Sequence, residues 1–248
     1  MNIDKLFSDK EYLEKEINFF IIKKQSLIYY WYIIYDNWYK MYDNTEIRIL
    51  ERIYLNPGIH KRELSKQLKL GMPSIDYGLK KINKLIKQKK SGNQINYFLD
   101  YSKEELVPFL NTVEHSRFER LPAKVRFSVN DLLKELKDKP VIALIFGSYA
   151  NSTYTKSSDI DILLIFQKIE DSKEIENGAK KISMKTNTQL NPVYLSYKEF
   201  RESFHNPTKG FFKKLKKDKI ILIGIEWWRQ LEDEEAWLEI MAKRQERM

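Results

Sequence analysis

Two aspartates stand two residues apart inside an otherwise apolar run, "SDIDILLIF" (Ser158–Phe166), and this pairing restricts the fold more than any other feature of the chain. In a strand, residues i and i+2 share a face, so Asp159 and Asp161 point the same way and Ile160 points to a core. Two carboxylates about 7 Å apart repel when ionised, a poor arrangement unless a cation sits between them. Upstream, "PVIALIFGS" (Pro140–Ser148) is a second short run rich in Val, Ile and Leu, and it ends at Gly147. It is predicted as a buried strand. The polar "SYANSTYT" between the two runs has room for a helical turn or slightly more.

The chemistry follows from these residue types. Mg²⁺, or Mn²⁺ in its place, is the hard cation that two carboxylates suit, and it keeps positions for water and phosphate oxygens. Glycine lets backbone approach a ligand closely. A helix starting there offers free N–H groups to phosphate, and Ser148 adds a hydroxyl. One turn would then hold a triphosphate while the next strand holds the metal.

The order "GS", ten residues, then "DID" resembles the nucleotidyltransferase superfamily related to DNA polymerase beta, especially its minimal, antitoxin-like members. Gly147, Ser148, Ala150, Ser158, Asp159 and Asp161 stand at its motif positions. The resemblance implies an α+β domain, a mixed sheet with flanking helices. It also implies transfer of a nucleoside monophosphate (NMP) from an NTP to a hydroxyl. Asp159 and Asp161 would be the catalytic metal ligands, and Gly147 and Ser148 the nucleotide-binding residues. A protein partner of the small, helical, toxin-like kind is a further implication.

Two positions depart from that pattern. A third carboxylate is usual on a later strand, where it helps hold metal and takes the acceptor's proton. The next strand here, "TQLNPVYLS", offers the amides Gln189 and Asn191, and Pro192 marks it as an edge strand or bulge. The nearest later acid is Glu199. A glycine is also common where Ser152 stands. The sequence therefore leaves two readings open: a Mg²⁺-dependent transferase, or a catalytically weak or inactive transcriptional regulator that binds DNA and can sense nucleotide.

The net charge of +9 is concentrated. Ten of the Lys and Arg residues, against two acids, lie between His60 and Lys90. A phosphate backbone is the natural partner of such a patch. The segment has the order helix, turn, helix, hairpin. "NTEIRILERIYL" places Ile47, Leu50, Ile53 and Tyr54 on one face, and "HKRELSKQLKL" buries Leu64 and Leu68. "PSIDYGLKKINKLIKQKK" is predicted as one long third helix, with Ile75, Leu79, Ile82 and Ile86 inward and Lys80, Lys81, Lys84 and Lys87 opposite. This order resembles winged helix-turn-helix domains. On that resemblance Ser74, Asp76, Tyr77, Lys80, Lys81 and Lys84 would face DNA, with Lys89 and Lys90 near the wing.

The expected organisation is an aromatic-rich segment (1–42) that packs or dimerises, a winged helix (43–101), a helical connector (102–139) and a nucleotidyltransferase-like domain (140–248). The basic run Lys213, Lys214, Lys216, Lys217 and Lys219 reads either as a solvated face or as a holder of triphosphate or RNA. The chain has no cysteine, which excludes disulfides and Cys-ligated metal and fits a cytoplasmic setting. His60, His115 and His205 lack metal-ligand spacing. The apolar run in Ile17–Tyr39 is interrupted by Lys23 and Lys24, so no membrane span is expected.

Overall fold

The computed structural model describes residues 44–205 and 210–245. The aromatic segment 1–42, with its expected packing or dimerisation role, lies outside the described residues.

Helix α1 (Asn44–Leu55) turns Ile49, Leu50, Ile53 and Tyr54 inward, and Ile47 is only half-buried. A two-residue strand β1 (Ile59–His60) leads into α2 (Lys61–Leu68), where His60 Nδ1 accepts the Glu63 N–H as an N-cap. Leu64 and Leu68 are buried as expected. Helix α3 (Met72–Lys81) begins after Gly71, with Pro73 in its first turn, where a missing N–H costs nothing.

Here the structure corrects the reading of one long third helix. Helix α3 stops at Lys81, a 3₁₀ turn covers Asn83–Leu85, and β2 (Ile86–Ser91) pairs antiparallel with β3 (Gln94–Leu99). The Ile82–Ile86 spacing suits a helix, but Ile86 stands opposite Leu99 in the ladder and both are buried. Gly92, at φ +57°, supplies the left-handed residue of the hairpin turn. The first sheet therefore has the order β1-β3-β2.

Residues expected as a connector form α4 (Leu106–Glu119) and α5 (Ala123–Glu135), separated at Pro122. Then come β4 (Ile142–Phe146), the single turn α6 (Gly147–Ala150), β5 (Ile160–Phe166), α7 (Ser172–Thr186) and β6 (Leu190–Ser196). Next are α8 (Tyr197–His205), α9 (Gly210–Lys217), β7 (Ile220–Ile223) and α10 (Ile225–Gln245). Asp171 caps α7 by accepting the Lys173 N–H, and Asn187 ends it in the left-handed conformation.

The second sheet has the order β6-β5-β4-β7; β5 and β6 are parallel and the other pairs antiparallel. Pro192 sits on the edge strand β6, where a missing ladder donor is tolerated. Both faces of the sheet are buried. Ile160, Ile162 and Leu164 join a core with Val129 and Leu132 of α5 and Ile175 and Ile182 of α7. Leu163, Ile165 and Leu144 join the core shared with α1–α4, α8, α9 and α10. The N-terminal helices and one sheet face thus bury a continuous apolar volume, and burial of each such Leu or Ile contributes about 1.5–3 kcal/mol.

Candidate active site

The β4–β5 ladder places Phe146 opposite Asp161, so Gly147 falls beside the Asp161 carboxylate. Gly147 has φ +71°, and a Cβ on it would overlap Asp161 Oδ2. Glycine is required here by the conformation and by the close approach. Asp159 and Asp161 share the face of Leu163 and Ile165, the face covered by the N-terminal helices and α8–α10. Asp159 is exposed and Asp161 half-buried. Burial pushes the Asp161 carboxyl up, and the neighbouring Asp159 pushes it further; a hydrogen bond from Asn191 opposes both.

Asn191 stands directly opposite Asp161 across the parallel β5–β6 pair. Its Nδ2 donates to Asp159 Oδ2 (3.3 Å) and Asp161 Oδ1 (3.4 Å). Gln189 Nε2 donates to Asn191 Oδ1 (3.4 Å), which orients the amide with its nitrogen toward the carboxylates. The position where a third carboxylate was sought is therefore occupied by an amide. Glu199 does not supply it. Its carboxylate accepts from Ser196 N–H (2.9 Å) and Oγ (2.6 Å), and Ser196 pairs with Phe166 at the far end of β5. Those bonds hold the Glu199 carboxyl below its ordinary range. Among the described residues, no group of three or more His, Cys, Asp or Glu side chains is placed to hold a metal.

The donor set nevertheless suits one hard cation: two carboxylates on one face, with an amide whose oxygen can also serve as ligand after rotation. It does not suit a second divalent ion, which would need the missing charge.

The loop over the site is braced by an aromatic pair. Tyr149 is buried, stacks on Tyr154 (4.6 Å between centroids) and donates its hydroxyl to the Ser158 carbonyl (3.3 Å). Burial raises its phenol pKa, with contributions from Tyr154 and Asp159. Ser158 Oγ accepts the Thr155 N–H (2.8 Å), closing the turn before Asp159. Ser148 is half-buried, and its carbonyl accepts from Thr153 N–H (2.9 Å). Ser152 has φ +62°, a conformation that favours glycine, which accounts for the glycine expected there.

Of the other predicted residues, Ser74, Asp76, Tyr77, Lys80 and Lys81 are exposed on α3. Asp76 pairs with Lys61, and Lys81 pairs with the buried Glu46 (2.9 Å). Lys84 lies in the 3₁₀ turn. Lys89 and Lys90 sit on opposite faces of β2, so they do not form one surface.

The fold defines a nucleotidyltransferase domain. The sequence pattern of the family described as "Polymerase beta, Nucleotidyltransferase" matches residues 128–209, beginning within α5 and ending beyond α8. A protein of Methanocaldococcus jannaschii, named as a candidate protein adenylyltransferase, is 30% identical over 84 residues. The match spans 33% of this chain and 84% of that protein. The chain belongs to the polymerase beta-type nucleotidyltransferase family. Two solved structures are looser matches, each 17% identical. A toxin–antitoxin structure with AMP-PNP has a TM-score of 0.34, covering 50% of this chain and 94% of that one. A mutant toxin–antitoxin structure, MntA–HpeT, has a TM-score of 0.33, covering 48% and 91%. No described helix is long and apolar enough to cross a membrane.

Proposed function

We propose that the chain binds a nucleoside triphosphate with one divalent cation at Asp159 and Asp161, and transfers the NMP slowly to a hydroxyl on a protein acceptor. The observation that carries this reading is two carboxylates on one strand face, Asp161 against Gly147 and both bridged by the Asn191 amide in the third position. The protein acceptor is supported by the name of the M. jannaschii relative.

When bound, Mg²⁺ would neutralise charge on the α-phosphate and the departing pyrophosphate. Asp159 and Asp161 would hold it, and the Gly147–Ser148 turn would hold the terminal phosphates. The acceptor oxygen bonds to the α-phosphorus while the bond to pyrophosphate breaks. The hydroxyl proton leaves to water, because an amide at position 191 cannot take it. General-base catalysis contributes about 10²–10⁴-fold, so turnover is expected to be slow by about that factor.

The N-terminal unit is proposed as a winged helix that holds this domain on DNA. Its support is the exposed side of α3 with Ser74, Tyr77 and Lys80, followed by a basic hairpin. A second reading, nucleotide sensing without turnover, is favoured by Asn191 alone.

The test incubates the full chain with α-labelled NTPs, Mg²⁺ and protein acceptors, beside an Asp159→Ala/Asp161→Ala variant. Label transferred by the parent and lost in the variant supports the transferase. Nucleotide binding with no transfer in any condition supports the sensor.

A further inference from the structure

A cavity of about 710 Å³ lies between the β2–β3 hairpin, the end of α1, and helices α9 and α10. It contains none of Gly147, Ser148, Asp159 or Asp161. Six lysines line it: Lys87 and Lys89 from one wall, Lys213, Lys216 and Lys217 from the opposite wall, and Lys219. The lining acids are Glu232 and Glu235. Two separate stretches of sequence, the expected wing and the basic run after residue 210, therefore deliver their charge to one concavity.

The lysines are not equivalent. Lys216 is held by Glu235 and sits over the Phe204 ring (4.0 Å), and Lys87 pairs with Asp100 (2.8 Å). Lys219 is buried, donates to the Lys216 carbonyl (2.7 Å) and lies over the Trp228 ring (4.5 Å). Burial pushes the Lys219 ammonium down and the Glu232 carboxyl up, so both move toward their neutral forms. Lys213 and Lys217 lie on one side of α9 at i, i+4 spacing and are exposed. Among the described residues neither pairs with a carboxylate. Like charges so placed repel, and an anion from the cavity bridging the two would relieve that. Tyr54, Phe98 and Tyr101 contribute aromatic wall, a surface on which a base can stack.

We propose that this cavity is a second nucleotide site, taking a free nucleoside polyphosphate with its phosphates on the Lys213–Lys217 pair and its base against the aromatic wall at Tyr101. The enclosed volume suits one such molecule and excludes a duplex. The site contains no paired carboxylates, so binding there requires no divalent cation. The proposal does not rest on the transferase reading.

The test measures ATP binding to the full chain by calorimetry in EDTA. The expected result is one ATP per chain. Asp159→Ala/Asp161→Ala should leave it unchanged, and Lys213→Glu/Lys217→Glu should weaken it on the order of tenfold or more, since both charge-assisted contacts are lost. Inorganic triphosphate should compete more weakly than ATP, because it lacks the base. Three results would overturn the site: no ATP binding in EDTA, binding that ignores Lys213→Glu/Lys217→Glu, or binding of a short single-stranded oligonucleotide in place of ATP. In each variant, an unchanged melting temperature separates lost binding from lost fold.

Discussion

Asn191 stands directly across the parallel β5–β6 pair from Asp161, with its Nδ2 3.4 Å from the Asp161 carboxylate. A carboxylate in that place would add charge for metal and a proton acceptor. Asn191→Asp is therefore expected to raise the rate of NMP transfer by roughly 10²-fold. Single-turnover kinetics with labelled NTP would check this, and an unchanged rate would show that the third group is not what limits the site.

Asp161 titrates above its ordinary value because burial and Asp159 both favour its neutral form. The sign follows from linkage. Between the unfolded and the raised folded pKa, the folded chain binds more protons than the unfolded one. This group's stabilising contribution is present below the unfolded pKa and is lost as pH rises through the folded one. At about pH 7 without metal, Asp161 is thus a net liability. Asp161→Asn should raise the melting temperature by roughly 2 °C in chelator, and the gain should vanish in excess Mg²⁺. Mg²⁺ affinity should fall as pH drops through the raised pKa, which a calorimetric pH series would read.

Gly147→Ala meets two penalties at once, a left-handed backbone and overlap with Asp161 Oδ2. The conformational part costs about 1–2 kcal/mol. The displaced carboxylate should also weaken Mg²⁺-dependent nucleotide binding. Ser152, at φ +62°, provides the opposite case, because a glycine there relieves strain. Ser152→Gly should stabilise by about 0.5–1 kcal/mol, less than the full left-handed penalty because glycine gains freedom in the unfolded chain. Denaturant melts of both variants test the pair together.

Glu114 is buried and holds three elements. It accepts from the Tyr54 hydroxyl of α1, from the Ile221 N–H of β7 (2.9 Å) and from Arg117 (3.0 Å). Arg117 also donates to the Ala150 carbonyl of α6 (3.3 Å). Glu114→Ala leaves the Arg117 guanidinium without its counter-ion and two donors unpaired, so a loss of about 3–5 kcal/mol is expected. Tyr54→Phe removes only one donor and should cost about 1 kcal/mol. Equal losses in chemical denaturation would contradict this account.

Much of the site was legible because its signals are local. Spacing put Asp159 and Asp161 on one face, residue type marked Gly147 as a place of close approach, and the family resemblance said where to seek a third acid, where the chain has amides. The α7 caps and the break at Pro122 are likewise written in adjacent residues. The end of α3 was not, because Ile82 and Ile86 fit a helix as well as a turn into a strand. Only the partner strand β3 decides between them.

What the sequence by itself determined is the chemistry available: two carboxylates, a glycine turn and an amide strand. Side-chain periodicity and backbone conformation act over a few residues, so they can be read along the chain. Tertiary structure alone decided which groups meet. It set Asn191 against Asp161, placed Glu199 at the wrong end of the sheet, and joined Lys89 to Lys213 and Lys217 across one cavity. Those meetings depend on strand register and on the burial of both sheet faces, which arise only when distant apolar segments pack together.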